Sequence, residues 1–225
     1  MSEIGPPSSD YLAPVRAAVL AAALPHAPFD GWSQRMFEAA VRGAGVDQGL
    51  ALLAFPTGVM DLLDAFWSAM DAAMAAEIAR CGLRSNHISA RISGAVKIYI
   101  GLLGPHREAV RRALALQALP IHAPGGLMRL YRTVDIIWRS IDDQSTDFNF
   151  YTKRATLAAL VASVVTHWLG ENNPDPAAMD AFIDRRIENV LAFEKAKARI
   201  SGLMRHLPSP GRLAGLLAGA WRPLR

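Results

Sequence analysis

The 225-residue chain has a single cysteine, Cys81, so neither a disulfide framework nor a cysteine-based zinc or iron–sulfur centre is expected. It has no run of 18 apolar residues. The longest candidate, residues 156–169, is short and contains Thr166 and His167, so no spanning helix is predicted. Cations are missing from the N-terminus until Arg16, while Glu3 and Asp10 precede it, a pattern unlike a signal peptide or an arginine-rich transit peptide. What is abundant is apolar: 52% of the residues are hydrophobic and the mean hydropathy is +0.17. Such a chain buries enough surface to offset its conformational entropy, which excludes disorder. The expectation is a cytoplasmic globular protein with much apolar surface to place.

Charge is unevenly distributed. No acid follows Glu194, whereas Lys195, Lys197, Arg199, Arg205, Arg212, Arg222 and Arg225 do. Residues 1–194 are therefore mildly acidic and the net charge of +4 belongs to a basic tail. Basic tails meet anionic partners: nucleic acid, an acidic protein or an anionic membrane surface.

Glycine and proline divide the chain into helical blocks at about residues 11–24, 31–43, 47–54, 60–80, 86–103, 106–119, 127–140, 146–170, 177–205 and 212–225, with no convincing strand. The predicted class is all-α, a bundle of about ten helices. Three segments follow: residues 1–67, with a helix-turn-helix rhythm around Gly45 and Val46; a longer helical body, 68–206; and a tail, 207–225. This plan is similar to that of TetR-type regulators, by fold-level analogy.

DNA binding needs cations for phosphates and polar side chains for base edges. Between Arg42 and Arg80 there is no Lys or Arg, and Asp47, Asp61, Asp64, Asp71 and Glu77 lie within. The segment at the recognition position, residues 47–54, offers Gln48 and a row of aliphatics, so no nucleic-acid partner is expected.

Catalytic signatures are equally absent: no H-E-x-x-H, E-x-x-H, G-x-S-x-G or P-loop. His26, His87, His106, His122, His167 and His206 form no i,i+4 pair, so neither a metal nor a catalytic residue is assigned.

The tail carries a different signal. Leu213, Leu216, Leu217, Ala220, Trp221 and Leu224 follow helical spacing on one face, with Arg212, Arg222 and Arg225 off it. Such a helix suits an anionic headgroup interface, through Arg212, Leu213, Leu216, Leu217 and Trp221. Packing on the body or on a partner subunit is the alternative. In the body, Phe66, Trp67, Met70, Ile98, Leu102, Met128, Tyr131 and Trp138 stand among small residues such as Ala69, Ala72, Ala73, Gly94 and Gly101. They form either a plain core or the wall of a cavity for a long apolar ligand.

The run Leu130-Tyr131-Arg132-Thr133-Val134-Asp135-Ile136-Ile137-Trp138, then Ser145-Thr146-Asp147-Phe148-Asn149-Phe150-Tyr151-Thr152-Lys153-Arg154-Ala155, resembles the signature of the Coq-nine family of ubiquinone biosynthesis accessory proteins. Residues 22–32, 53–56 and 107–114 also look like its bacterial members. The resemblance implies a TetR-like fold without DNA binding and a homodimer. It also implies an internal site for an isoprenoid quinone precursor or phospholipid, no cofactor, and an amphipathic C-terminal helix on the membrane. The implied role is non-catalytic: presenting the lipid to a hydroxylase of the ubiquinone pathway, with Asp147, Phe150 and Tyr151 facing that partner. Phe150 departs from the Trp of mitochondrial members, keeping the aromatic face without the indole N–H. The implied location is the inner membrane, peripherally from the cytoplasm in a bacterium or from the matrix in a mitochondrion. A TetR-like ligand-sensing regulator is the alternative function.

Overall fold

The computed structural model describes residues 11–83, 87–141, 149–173 and 175–205; of their side chains, those at 149–152, 191 and 193–205 are not described. Among the described residues the chain is all-helical: α1 (Ala13–Ala23), α2 (Ala27–Asp30), α3 (Gln34–Gly43), α4 (Gln48–Ala54), α5 (Val59–Cys81), α6 (Ile88–Leu103), a 3-10 turn (Gly104–His106), α7 (Arg107–Gln117), α8 (Ala123–Ser140), α9 (Asn149–Gly170) and α10 (Pro176–Arg205). The expected last helix and the tail boundary at residue 207 lie outside the described residues. Residue contacts group the chain into Met1–Asp184 and Arg185–Arg225. The second unit is, within the described residues, the C-terminal part of α10.

Local chemistry sets the N-terminal helices. Ser33 caps α3 by accepting the Met36 N–H, and Asp47 caps α4 by accepting from Gly49 and Leu50. Between α3 and α4 the turn passes through Gly45 at φ +64°, a conformation glycine adopts without Cβ strain. α1 lies against α3, α4 and α5, and the Arg16 Nε donates to the Ala54 carbonyl at the end of α4.

α5 is the central rod, packed on α1, α3, α6 and α8. Its Leu62, Leu63, Phe66, Trp67, Met74 and Ile78 are buried, each contributing about 1.5–3 kcal/mol of transfer free energy in a fully buried position. Phe66 sits between Trp32, Trp67 and His106, with ring centroids 5.3, 5.0 and 5.9 Å away. The expected segment boundary at residue 67 falls inside this helix. No single described helix is long and apolar enough to cross a membrane. The bent pair α4 and α5 reaches that length and composition together, but α5 spends its large side chains on the protein's own core.

One boundary differs from the sequence reading. The helix that the sequence places at 127–140 begins earlier: α8 starts at Ala123 and takes Pro124, Gly125 and Gly126 into its first turn. Proline there lacks only an N–H that the first turn leaves unbonded.

The segments that carry the family resemblance meet in space. Trp32 Nε1 donates to the Ala109 carbonyl at 2.9 Å and Arg112 Nε to the Pro28 carbonyl at 2.7 Å, joining residues 22–32 to 107–114. Arg107 and Arg111 reach the last carbonyls of α9, Trp168 and Leu169, where cations also complement the helix dipole. Arg154, only 3% exposed, pairs with Asp135 at 2.7 Å and ties α9 to α8.

Candidate functional site

A cavity of about 330 Å³ opens between α5, α6, α7, α8 and α9. That volume lies at the lower end of small-molecule sites, roughly 300–1,000 Å³. Its inner wall is buried: Trp67 from α5, Tyr99 and Leu103 from α6, Arg129 and Thr133 from α8, Val161 and Val165 from α9. Its rim is exposed, formed by Ala118, Ala123, Leu127, Ala162 and Thr166. Close helix packing would normally fill such a space. Here small side chains, Ala118, Ala123, Gly126 and Ala162, stand in the lining contributed by α8, α9 and the link from α7.

Two inner-wall residues, Arg129 and Thr133, belong to a polar network whose other members, Asp64, Ser68 and Asp71, stand outside the cavity lining. On α5, Asp64, Ser68 and Asp71 share one face at spacings of four and three. On α8, Arg129 and Thr133 share another. The Arg129 guanidinium, 9% exposed, donates to the Asp64 carboxylate, to the Asp64 carbonyl at 2.8 Å and to the Ser68 hydroxyl at 2.8 Å. It lies 3.4 Å from Asp71, whose other oxygen accepts from the Thr133 hydroxyl at 2.9 Å. Burial pushes the Asp71 carboxyl up to about 6, more than the Thr133 hydrogen bond and Arg129 lower it. The Tyr99 hydroxyl is also pushed up, first by burial and then by the charge of Asp71, so it remains a proton donor at any physiological pH. The arrangement thus offers an apolar slot with hydroxyl and guanidinium groups on one side. It fits an elongated molecule with a polar end.

A second hollow of about 280 Å³ lies among Lys97, Ile100, Gly101, Gly104, Arg107, Trp168, Pro176, Met179, Asp180 and Ile183. Lys97 there is occupied by Asp184, 2.8 Å away; Lys97 and the Ser93 hydroxyl lower that carboxyl's pKa. Among the described residues no three His, Cys, Asp or Glu side chains gather as metal ligands.

Of the residues read from sequence as a lipid site, the structure brings Trp67 to the cavity wall. Phe66 lies behind it in the core, and Trp138 is buried elsewhere on α8. Met70, Ile98 and Leu102 are half-buried and do not line the cavity, while Met128 and Tyr131 face outward at 57% and 36% exposure. Asp147 lies outside the described residues, Phe150 and Tyr151 belong to the first turn of α9 without described side chains, and Arg212, Leu213, Leu216, Leu217 and Trp221 lie outside as well. The cavity residues absent from that reading had a signal of another kind. Val161, Ala162, Val165 and Thr166 make a stripe of small side chains along α9. Arg129 and Thr133 stand four residues apart on α8, so a guanidinium and a hydroxyl share one face.

Comparison with known proteins adds a family to this geometry. The COQ9 family profile matches residues 123–194, which contain α8 and α9 and with them one side of the cavity. The ubiquinone biosynthesis protein COQ9, mitochondrial, of Rattus norvegicus is 25% identical over 228 residues, covering 90% of this chain and 69% of that protein. The Homo sapiens protein of the same name is 32% identical over 130 residues, covering 54% of this chain and 41% of that one. In Drosophila melanogaster the values are 24% identity and coverage of 84% and 59%. The chain thus spans less than two thirds of the human and fly proteins. Among solved structures, the TetR transcriptional regulator from Nitrosomonas europaea superposes with a TM-score of 0.64 at 21% identity, over 79% of this chain and 98% of that one, a likeness of fold. The chain is thus similar to the COQ9 proteins of ubiquinone biosynthesis, through the family profile over residues 123–194 and through relatives over most of its length, and its fold is TetR-like.

Proposed function

We propose that the chain serves ubiquinone biosynthesis as a non-catalytic accessory protein, holding an isoprenoid quinone precursor at a membrane surface for a hydroxylase that modifies it. The role in ubiquinone biosynthesis is supported by the COQ9 relatives. Lipid holding is supported by one observation above the others: an apolar cavity that runs from a hydrogen-bonding inner wall to an exposed rim. A prenylated phenol or quinone has that polarity, with ring oxygens at one end and hydrocarbon at the other. The ring would lie near Tyr99, Thr133 and Arg129, and the first isoprene units along Leu103, Val161 and Val165. A phospholipid, with acyl chains and a polar head, is the other lipid the slot would accept. The basic, amphipathic segment 207–225 would supply membrane adsorption, and Asp147, Phe150 and Tyr151 the contact with the hydroxylase, the protein acting as a homodimer. The relatives named above are mitochondrial proteins; a eukaryotic chain of this kind would work on the matrix side, and a bacterial one on the cytoplasmic side of the inner membrane.

Native mass spectrometry of the purified chain tests this reading. The wild type carries an isoprenoid or a phospholipid, and Val165→Trp, which fills the slot, carries markedly less. Equal lipid in both, or none in either, contradicts it.

The likeness to a solved TetR regulator favours a second reading, a ligand-sensing transcription regulator. Against it, α4 presents Leu52 and Leu53 at 61% and 59% exposure, in a stretch without Lys or Arg from residue 43 to 79. Salt-sensitive binding of the purified chain to an operator would favour the regulator.

A further inference from the structure

The cavity is too small to hold a whole polyprenyl chain, so most of a bound lipid's hydrocarbon must leave through the rim. The surface at that rim is itself apolar. Leu119, Ile121, Leu127 and Met128 are 49%, 81%, 68% and 57% exposed, and they cluster on residues 118–128, the stretch that links α7 to α8 and forms the first turn of α8. Ala118, Ala123, Gly126 and Leu127 of the same stretch line the cavity. An exposed group of large aliphatics around the mouth of an apolar slot marks an interaction surface.

Charge points to the kind of partner. From residue 109 to 134 there is no acid, while Arg111, Arg112, Arg129 and Arg132 flank an uncharged tip. Arg129 is buried in the inner wall against Asp64 and Asp71, and of the exposed arginines Arg111 and Arg112 share Glu108 while Arg132 meets Asp64. An aliphatic tip with a surplus of arginine behind it suits an anionic bilayer, the tip in the outer acyl layer and the cations at headgroup level.

We propose that residues 118–128 are a membrane-contact element, separate from the C-terminal tail, which sets the cavity mouth into the bilayer so that a lipid passes between slot and membrane without crossing water. This rests on the reading of the cavity as a lipid site.

The test uses the full chain as Cys81→Ser, with one new cysteine at Ile121 or, as control, at Leu53, each labelled with a polarity-sensitive fluorophore. Vesicles of phosphatidylcholine and phosphatidylglycerol are floated with the protein, with and without bromine on the acyl chains. The label at 121 shifts to the blue and is quenched by brominated chains, the label at 53 is not, and Ile121→Ser with Leu127→Ser weakens vesicle partition by about tenfold or more. A 121 label that stays aqueous while the protein floats overturns the proposal, whatever the cavity holds. So does a label that is already buried without vesicles in a dimer that Ile121→Ser dissociates, since the patch is then a contact between two copies. Lipid content of the same preparations by native mass spectrometry keeps the two readings apart. A quenched 121 label together with lipid in the wild type and less of it in Val165→Trp supports the proposal, and a quenched label over an empty cavity overturns it as a loading device.

Discussion

Two buried charges do opposite things to this protein's stability. Arg154 and Asp135 answer one another at 2.7 Å, with Arg139 on the second Asp135 oxygen. Removing Arg154 leaves the largely buried Asp135 to the exposed Arg139, a loss of up to about 3–5 kcal/mol, the range for breaking a buried pair. Arg154→Met is therefore expected to lower the urea midpoint sharply, while Arg139→Met, at 76% side-chain exposure, changes it by less than about 1 kcal/mol. Asp71 works the other way. Its carboxyl is raised from 3.8 to about 6 by burial, so between those values the folded state holds a proton that the unfolded state has released. Its contribution favours folding most at and below pH 4 and fades as the pH rises to about 6; above that the buried carboxylate is a standing cost of order 2–3 kcal/mol. Urea melts at several pH values check this: the stability of Asp71→Asn relative to wild type should climb from pH 4 to pH 6 and level off above. A difference independent of pH would mean that Asp71 does not titrate in that range.

At the scale of helices, periodicity was readable and contacts were not. The α5 residues Leu62, Leu63, Phe66, Trp67, Met74 and Ile78 repeat at helical spacing and all are buried. Which of them faces a cavity rather than a neighbour depends on what α6, α8 and α9 place opposite, and no local pattern carries that. Size and aromaticity singled out Phe66, Met128, Tyr131 and Trp138, whereas a cavity is made where side chains are short. Ala118, Ala162 and Thr166 define the slot by what they leave empty. Even Pro124, outside the helical block predicted at 127–140, lies in the first turn of α8. The resemblance segments were legible as motifs, and their physical sense emerges only in three dimensions, as Trp32 on Ala109, Arg112 on Pro28 and Arg154 on Asp135. The amphipathic tail is a matter for experiment at this same scale. Replacing Leu216, Leu217 and Trp221 by serine is expected to reduce flotation on anionic vesicles without changing the thermal melt. Unchanged flotation would place membrane binding elsewhere in the chain.

For the whole molecule, the account joins three parts with separate chemistry: a slot with a polar inner wall, an apolar rim around its mouth, and a basic tail. A TetR-like arrangement suits the proposed use because its helices α5 to α9 enclose a pocket, while α4, at the helix-turn-helix position, presents the exposed aliphatics Leu52 and Leu53. The central claim is that the slot binds a prenylated ring. It is tested most directly by titrating the delipidated chain with a short-chain prenylated phenol, following quenching of tryptophan fluorescence, in wild type and in Val165→Trp. The account predicts saturable, one-site binding to the wild type and at least tenfold weaker binding to the variant, with equal thermal melts. Equal affinity for both proteins, or no saturable binding to the wild type, would contradict it.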